Sequence, residues 1–162
     1  MDLVNESFEL IDDKIIQGMK RIGIPLLRIS LGINFFWFGV IKFFPGLSPA
    51  ESLATQTIEQ LSFGYLQPSV SIYLLAIWET LIGLGLIFGL YLRATLFLLF
   101  TQMLGTLTPL LLFPGETFIQ FPYAPTLEGQ YIIKNLVLIS AGLVVGATVR
   151  GGRLTEERDA PN

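Results

Sequence analysis

Four charged side chains sit where charge is hard to keep. Arg28 and Lys42 lie inside the apolar run Ile22 to Phe44, Glu79 inside Ser71 to Leu92, and Lys134 near the start of a run from Gln130 to Val149. A charge at mid-bilayer costs at least about 2.5 kcal/mol unless it snorkels or finds a partner. Arg28 and Lys42 are fourteen residues apart, which puts them on one helix face to within roughly 40°, with Phe35 midway. Both lie nearer an end than the centre of their run, so snorkelling accounts for either as well as pairing does. Glu79 is the sharpest signal. A carboxylate at that depth must be protonated, paired, or facing a wet cavity. The expectation is that it faces inward and pairs with Lys42 or Lys134. Such a pair either fixes helix register alone or forms the polar floor of a binding pocket.

Amides and aromatics extend the candidate site. Asn135 follows Lys134, and Gln102 lies in the third apolar run, expected nearer the depth of Arg28. Phe35, Phe36, Trp37 and Trp78 offer apolar walls, although aromatics at helical spacing more often pack or face lipid. The candidate ligand-binding set is therefore Lys42, Glu79, Lys134, Asn135, Arg28, Gln102, Trp37 and Trp78. Composition narrows the chemistry. The chain has no Cys and no His. That excludes disulfides, thiolate sites and thiol redox steps within the chain, and removes the usual haem, zinc and copper ligand and the usual neutral-pH base. One deep carboxylate is a poor metal site, so no metal is expected. No basic tract suggests nucleic acid.

These side chains need elements to hold them. The chain has 162 residues, 52% hydrophobic and 14% charged, which is too apolar for an ordinary soluble domain and fits an all-α integral membrane protein. Four spans are expected, at about 22–44, 71–92, 94–113 and 130–149, each near the twenty residues that cross a bilayer. Together they predict a four-helix bundle over 22–149. The segment 1–21 is charged before any apolar run, so it is no signal peptide. Phe8, Ile11, Ile15, Met19 and Ile22 recur at helical spacing, predicting an N-terminal amphipathic helix along the membrane surface.

Pro45-Gly46 ends the first span. Ser48, Pro49 and Glu51 then spell a capping box for a short surface or re-entrant helix to about Ser62, with Ala54, Ile58 and Leu61 on one face. Gly85 and Gly89, four apart, suit close helix contact. Tyr91-Leu92-Arg93 is too short for anything but a tight turn, so spans two and three form an antiparallel hairpin. Pro109 kinks or ends the third span. Residues 114–130 form a loop with Phe118, Phe121 and Tyr123 suited to the interfacial belt. The tail 150–162 is polar. Lys14, Lys20, Arg21, Arg93, Arg150, Arg153 and Arg158 fall on one side of this topology, and the connections 46–70 and 114–130 have no Lys or Arg. The positive-inside rule then puts both termini in the cytoplasm.

Three motifs carry a family resemblance. They are LLRISLGINFFWFGVIKFFPG with its Gly39-x-x-Lys42-Phe43 ending, Glu79-Thr80-Leu81-Ile82-Gly83 followed by Gly85 and Gly89, and Glu128-Gly129-Gln130-Tyr131-Ile132-Ile133-Lys134-Asn135. In that order, over roughly residues 20–150, they resemble the DoxX-like membrane proteins. Pro45 to Glu51 and Thr108-Pro109 lean toward the branch of reactive-chlorine resistance. The resemblance implies a four-helix protein of the bacterial inner membrane tied to redox or oxidative-stress systems. It implies at most a membrane subunit of an oxidoreductase system, with a redox partner protein. No catalytic motif is legible. A quinone or other lipophilic small molecule is the ligand such a pocket would take, and no cofactor is held by the chain itself. Two alternatives stand beside it: a non-catalytic scaffold or stress-response protein working through its surface helices, and a small-solute transporter, for which no inverted repeat is visible.

Overall fold

The computed structural model describes residues 2–49 and 51–152, with side chains from Ile11 onward. It is an all-α membrane bundle. Its elements are α1 (Asp2–Ile41), α2 (Glu51–Leu61), α3 (Pro68–Phe88), α4 (Leu92–Leu107), α5 (Pro109–Leu112), α6 (Pro114–Thr117), β1 (Phe118–Gln120), β2 (Ala124–Pro125) and α7 (Leu127–Thr148). Among the described residues four segments are long and apolar enough to cross a membrane: Ile11–Ile41, Pro68–Phe88, Leu92–Leu112 and Leu127–Thr148.

The first of these corrects the expected division at residue 21. No separate amphipathic helix precedes the first span; α1 runs unbroken through Pro25. The stripe Ile11, Ile15, Met19 and Ile22 is exposed along it, and the side chain of Phe8 lies outside the described residues, as do residues 153–162 of the polar tail. The α1 end tightens into i→i+3 bonds from Lys42, Phe43 and Phe44 back to Gly39, Val40 and Ile41, a common helix finish.

The second span begins three residues before its expected start, because Pro68 takes the first helical position that its fixed φ suits. It stops at Gly89, left-handed at φ 69°, whose N–H returns to Gly85 O. Leu92 then opens α4, so the hairpin is as tight as its sequence requires. Pro109 separates α4 from α5. The connection expected as a plain loop is structured. Phe118 pairs with Pro125 and Gln120 with Ala124 in a two-stranded antiparallel ribbon. Thr126 caps α7 by accepting from Gly129 N at 3.2 Å.

The capping box before α2 does not form. Glu51 reaches past Ser48 and accepts from Gly46 N at 3.3 Å, while Ser48 Oγ bonds Pro49 O.

Four helices share one apolar core: Leu31 and Phe35 of α1, Ile82 and Leu86 of α3, Leu96, Leu99 and Met103 of α4, and Ala141 and Val145 of α7. The closest packing is α1 against α3. A Cβ added at Gly39 would lie 2.6 Å from Thr80 N, and one at Gly32 would lie 2.9 Å from Ile87 N. One at Gly83 would strike the Phe36 backbone. These pairs step evenly along two antiparallel helices and lock their register. The expected pair Gly85 and Gly89 does not carry this contact: Gly85 faces Thr95 of α4, and Gly89 ends its helix beneath Arg28.

Register fixes what stands beside what. Lys42, just past the end of α1, comes level with Glu79, the middle of α3. The first half of α3 therefore runs beyond α1, and α2 packs there, against α3, α4 and α5.

Candidate functional site

Glu79 is buried and bonded on both oxygens. Lys42 Nζ donates to Oε2 at 2.6 Å, and Gln102 Nε2 donates to Oε1 at 2.7 Å. Lys42 Nζ also donates to Phe38 O at 3.1 Å, one turn back along α1. The two charged side chains are only 10% and 11% exposed, so this is an ion pair inside the bundle, where an uncompensated ion would not be tolerated.

Counted from an expected start at Ser71, with that end outward, Glu79 falls in the outer half of its span, about 12 Å below the outer end. With α3 starting at Pro68, the carboxylate lies about 16 Å along the helix, near its midpoint. Gln102 is correspondingly not a partner of Arg28. It sits about as far after the α3–α4 turn as Glu79 sits before it, and antiparallel hairpin geometry brings the two together. Counting outward from Leu90 would have found this pair in the sequence.

The remaining candidates scatter. Lys134 does not reach Glu79: it is exposed on α7, 5.4 Å from the centroid of the Tyr131 ring. Asn135 is half-buried beside it on α7, and no hydrogen bond ties its side chain to the Glu79 cluster. Arg28 packs over Gly89 at the opposite end of α3, where the positive guanidinium meets the negative end of the helix dipole. Trp37 is 66% exposed and stands outside the site. Phe35 belongs to the core, and Phe36 covers Gly83. Of the expected aromatic walls only Trp78 is in place, its Nε1 donating to Leu98 O at 3.1 Å across the α3–α4 hairpin.

The walls come from α2, which the sequence offered as a surface or re-entrant helix. A groove of about 600 Å³ lies between α2, α3 and α4, within the range of small-molecule sites. Leu53, Ala54 and Ile58 roof it from α2, Leu75 and Trp78 line α3, and Lys42, Glu79 and Gln102 stand at its polar end. Ala54, Ile58 and Leu61 all face this groove, as the spacing of the α2 stripe requires. Leu74, Ile77 and Leu81 also border it and are about half exposed on the outside of the bundle. The groove is thus open toward lipid along one face of α3. Chemically it offers a largely apolar slot ending in a cation, an anion and an amide; the hydroxyls that line it, Thr57, Ser71, Thr101 and Thr106, each donate to a backbone carbonyl of their own helix.

The DoxX family model matches residues 23–113, more than half of the chain. The chain belongs to the DoxX family. The match runs from the start of the packed part of α1 to the end of the third span, so Lys42, Glu79 and Gln102 of this DoxX protein all fall inside it, whereas Lys134 and Asn135 fall outside. No curated protein and no solved structure matches the chain.

Proposed function

We propose that this DoxX-family protein holds a lipid-soluble molecule of the quinone class in the groove beneath α2, and thereby serves redox or oxidative-stress physiology in the bacterial inner membrane. One observation carries it: an apolar slot open to lipid ends on a buried Lys42–Glu79–Gln102 cluster. A purely structural ion pair needs no slot. An amphiphilic ring with a tail suits both parts, its oxygens toward the ammonium and amide, its tail along Leu74, Ile77 and Leu81. Electron transfer would lie with a redox partner protein, because the chain has no Cys or His to carry it. The family resemblance supports the redox setting. The Lys and Arg residues of the N-terminal segment, the α3–α4 turn and the C-terminal region support an orientation with both termini cytoplasmic.

The test is extraction. Full-length protein taken into nanodiscs with its native lipids should yield about one lipophilic molecule per chain on solvent extraction. Ala54→Phe fills the groove from α2, so it should lose that molecule while still folding, with unfolding no lower than that of ligand-stripped wild type. Wild-type protein that yields nothing above the lipid background, or an Ala54→Phe protein that yields as much, overturns the reading.

A second reading, a scaffold for partner proteins, draws on the exposed stripe Ile11, Ile15, Met19 and Ile22. A partner that co-purifies with wild type and is lost on Ile15→Asp would support it, and a partner retained by that variant would remove it.

A further inference from the structure

The first helix outruns the bundle it belongs to. Arg28 lies against Gly89, where α3 ends, and Gly146 near the end of α7 faces Leu96 near the start of α4, so the other three spans stop at one level. Those spans have 21 or 22 residues each, about 30 Å of helix, and they fix where the bilayer lies. Residues 11–26 of α1 project past that level as about 22 Å of helix. Residues 11–23 are exposed throughout, and an added Cβ at Gly18 or Gly23 would meet nothing within 4 Å.

The projecting helix carries an ordered apolar face. Ile11, Ile22 and Ile33 are eleven residues apart, as are Ile15, Leu26 and Trp37, and all six are exposed. Eleven residues make three turns to within about 20°, so the six share one side of α1. Lipid covers Ile33 and Trp37, which lie level with α3. Ile15, about 20 Å past Arg28, and Ile11 beyond it stand clear of lipid. Apolar side chains aligned in this way outside the bilayer mark an interaction surface.

The charges beside the stripe indicate what covers it. Asp12 lies about 60° to one side of the stripe midline and Lys14 about 100° to the other, and both are exposed. When two copies pair in parallel about a two-fold axis, opposite edges meet. Asp12 of each copy then faces Lys14 of the other, about 3 Å along the axis. An antiparallel pair would set like edges together. Copies inserted in one membrane share one orientation, so parallel is also the pairing open to them. We propose that α1 of a second copy covers this stripe, forming a parallel dimer held together outside the bilayer. The dimer is independent of the groove reading, and it takes the face that a scaffold would offer to another protein.

Cysteine cross-linking tests it, because the chain has no Cys of its own. In membranes carrying the full-length protein, mild oxidation should link Ile15→Cys, on the stripe midline, into a dimer severalfold more completely than Lys20→Cys on the opposite side. Asp12→Lys added to Ile15→Cys should lose most of that dimer, and Asp12→Lys with Lys14→Asp should restore it. These positions lie outside the packed bundle, so each variant should fold. Equal linking of the two cysteines, or of neither, overturns the dimer, as does a yield that the charge swaps leave unchanged. Ile15→Cys linked to a different protein gives the face to the scaffold reading instead. Ile15→Cys that stays unlinked and shielded from an impermeant maleimide in opened cells gives it to the bilayer surface.

Discussion

Lys42 reaches inward along its helix, not outward to water. Helical side chains lean toward the helix N-terminus, and the bond from Nζ to Phe38 O follows that lean. The ammonium therefore meets Glu79 instead of snorkelling. Removing one partner of a buried pair strands the other, at a cost of about 3–5 kcal/mol, whereas replacing both with apolar groups is often close to neutral. Lys42→Met alone should lower stability by about 3 kcal/mol. Lys42→Met with Glu79→Leu should recover most of it. Denaturant unfolding in detergent measures both, and a double variant as unstable as the sum of the singles would contradict the pairing. At this scale much was legible. An acid in a span needs a partner, and Lys42 is one of the two cations the sequence offers it, although its spacing from Arg28 shows only that the two share a face. What sequence could not settle was which cation meets Glu79. Lys134 has a similar depth, but the rotation of α7 about its own axis decides the matter, and that depends on packing by Leu96, Leu99 and Phe100 against Gly142 and Gly146.

The elements hold the site through the contact of α1 with α3. Gly32, Gly39 and Gly83 let two backbones come close enough that a single added carbon collides with main chain as well as with side-chain atoms. Gly83→Ala should therefore cost about 1–3 kcal/mol, the range for overpacking, and should shift Glu79 away from Lys42. Gly105 in α4 has nothing within 4 Å of an added Cβ. Gly105→Ala should be neutral or more stable by up to about 1 kcal/mol, from helix propensity alone. Thermal unfolding of the two variants side by side checks this, and equal effects would refute the register assigned to α1 and α3. The sequence shows glycines at contact spacing but not their partners. Gly85 and Gly89 look the better pair on a helix wheel, yet Gly89 is taken by the turn and Gly85 by Thr95. A left-handed stop and a neighbouring threonine are tertiary facts. The same limit hid the role of α2, whose stripe was readable while the space it covers was not: that space exists only because α1 ends level with the middle of α3.

At the scale of the whole molecule, the offset between α1 and α3 divides the bundle into a packed half and a half that holds the groove. One half is filled by the four-helix apolar core, and the other is opened by the short reach of α1 and closed again by α2. If Phe63 of the α2–α3 connection and Ile119 of the ribbon lie outside the cytoplasm and Tyr91 lies within it, the groove belongs to the extracytoplasmic half. All three side chains are well exposed, at 90%, 80% and 87%. The chain has no native cysteine, so each single substitution to Cys gives a unique label site. In intact spheroplasts a membrane-impermeant maleimide should label Phe63→Cys and Ile119→Cys, and should reach Tyr91→Cys only after the cells are opened. The reverse pattern would turn the groove toward the cytoplasm and remove the positive-inside argument. The outcome also bears on the ligand. On the proposed reading a lipid-soluble carrier would enter from either leaflet, and a partner that exchanges electrons with it would stand on the side where α2 lies, because α2 and the first half of α3 border the groove.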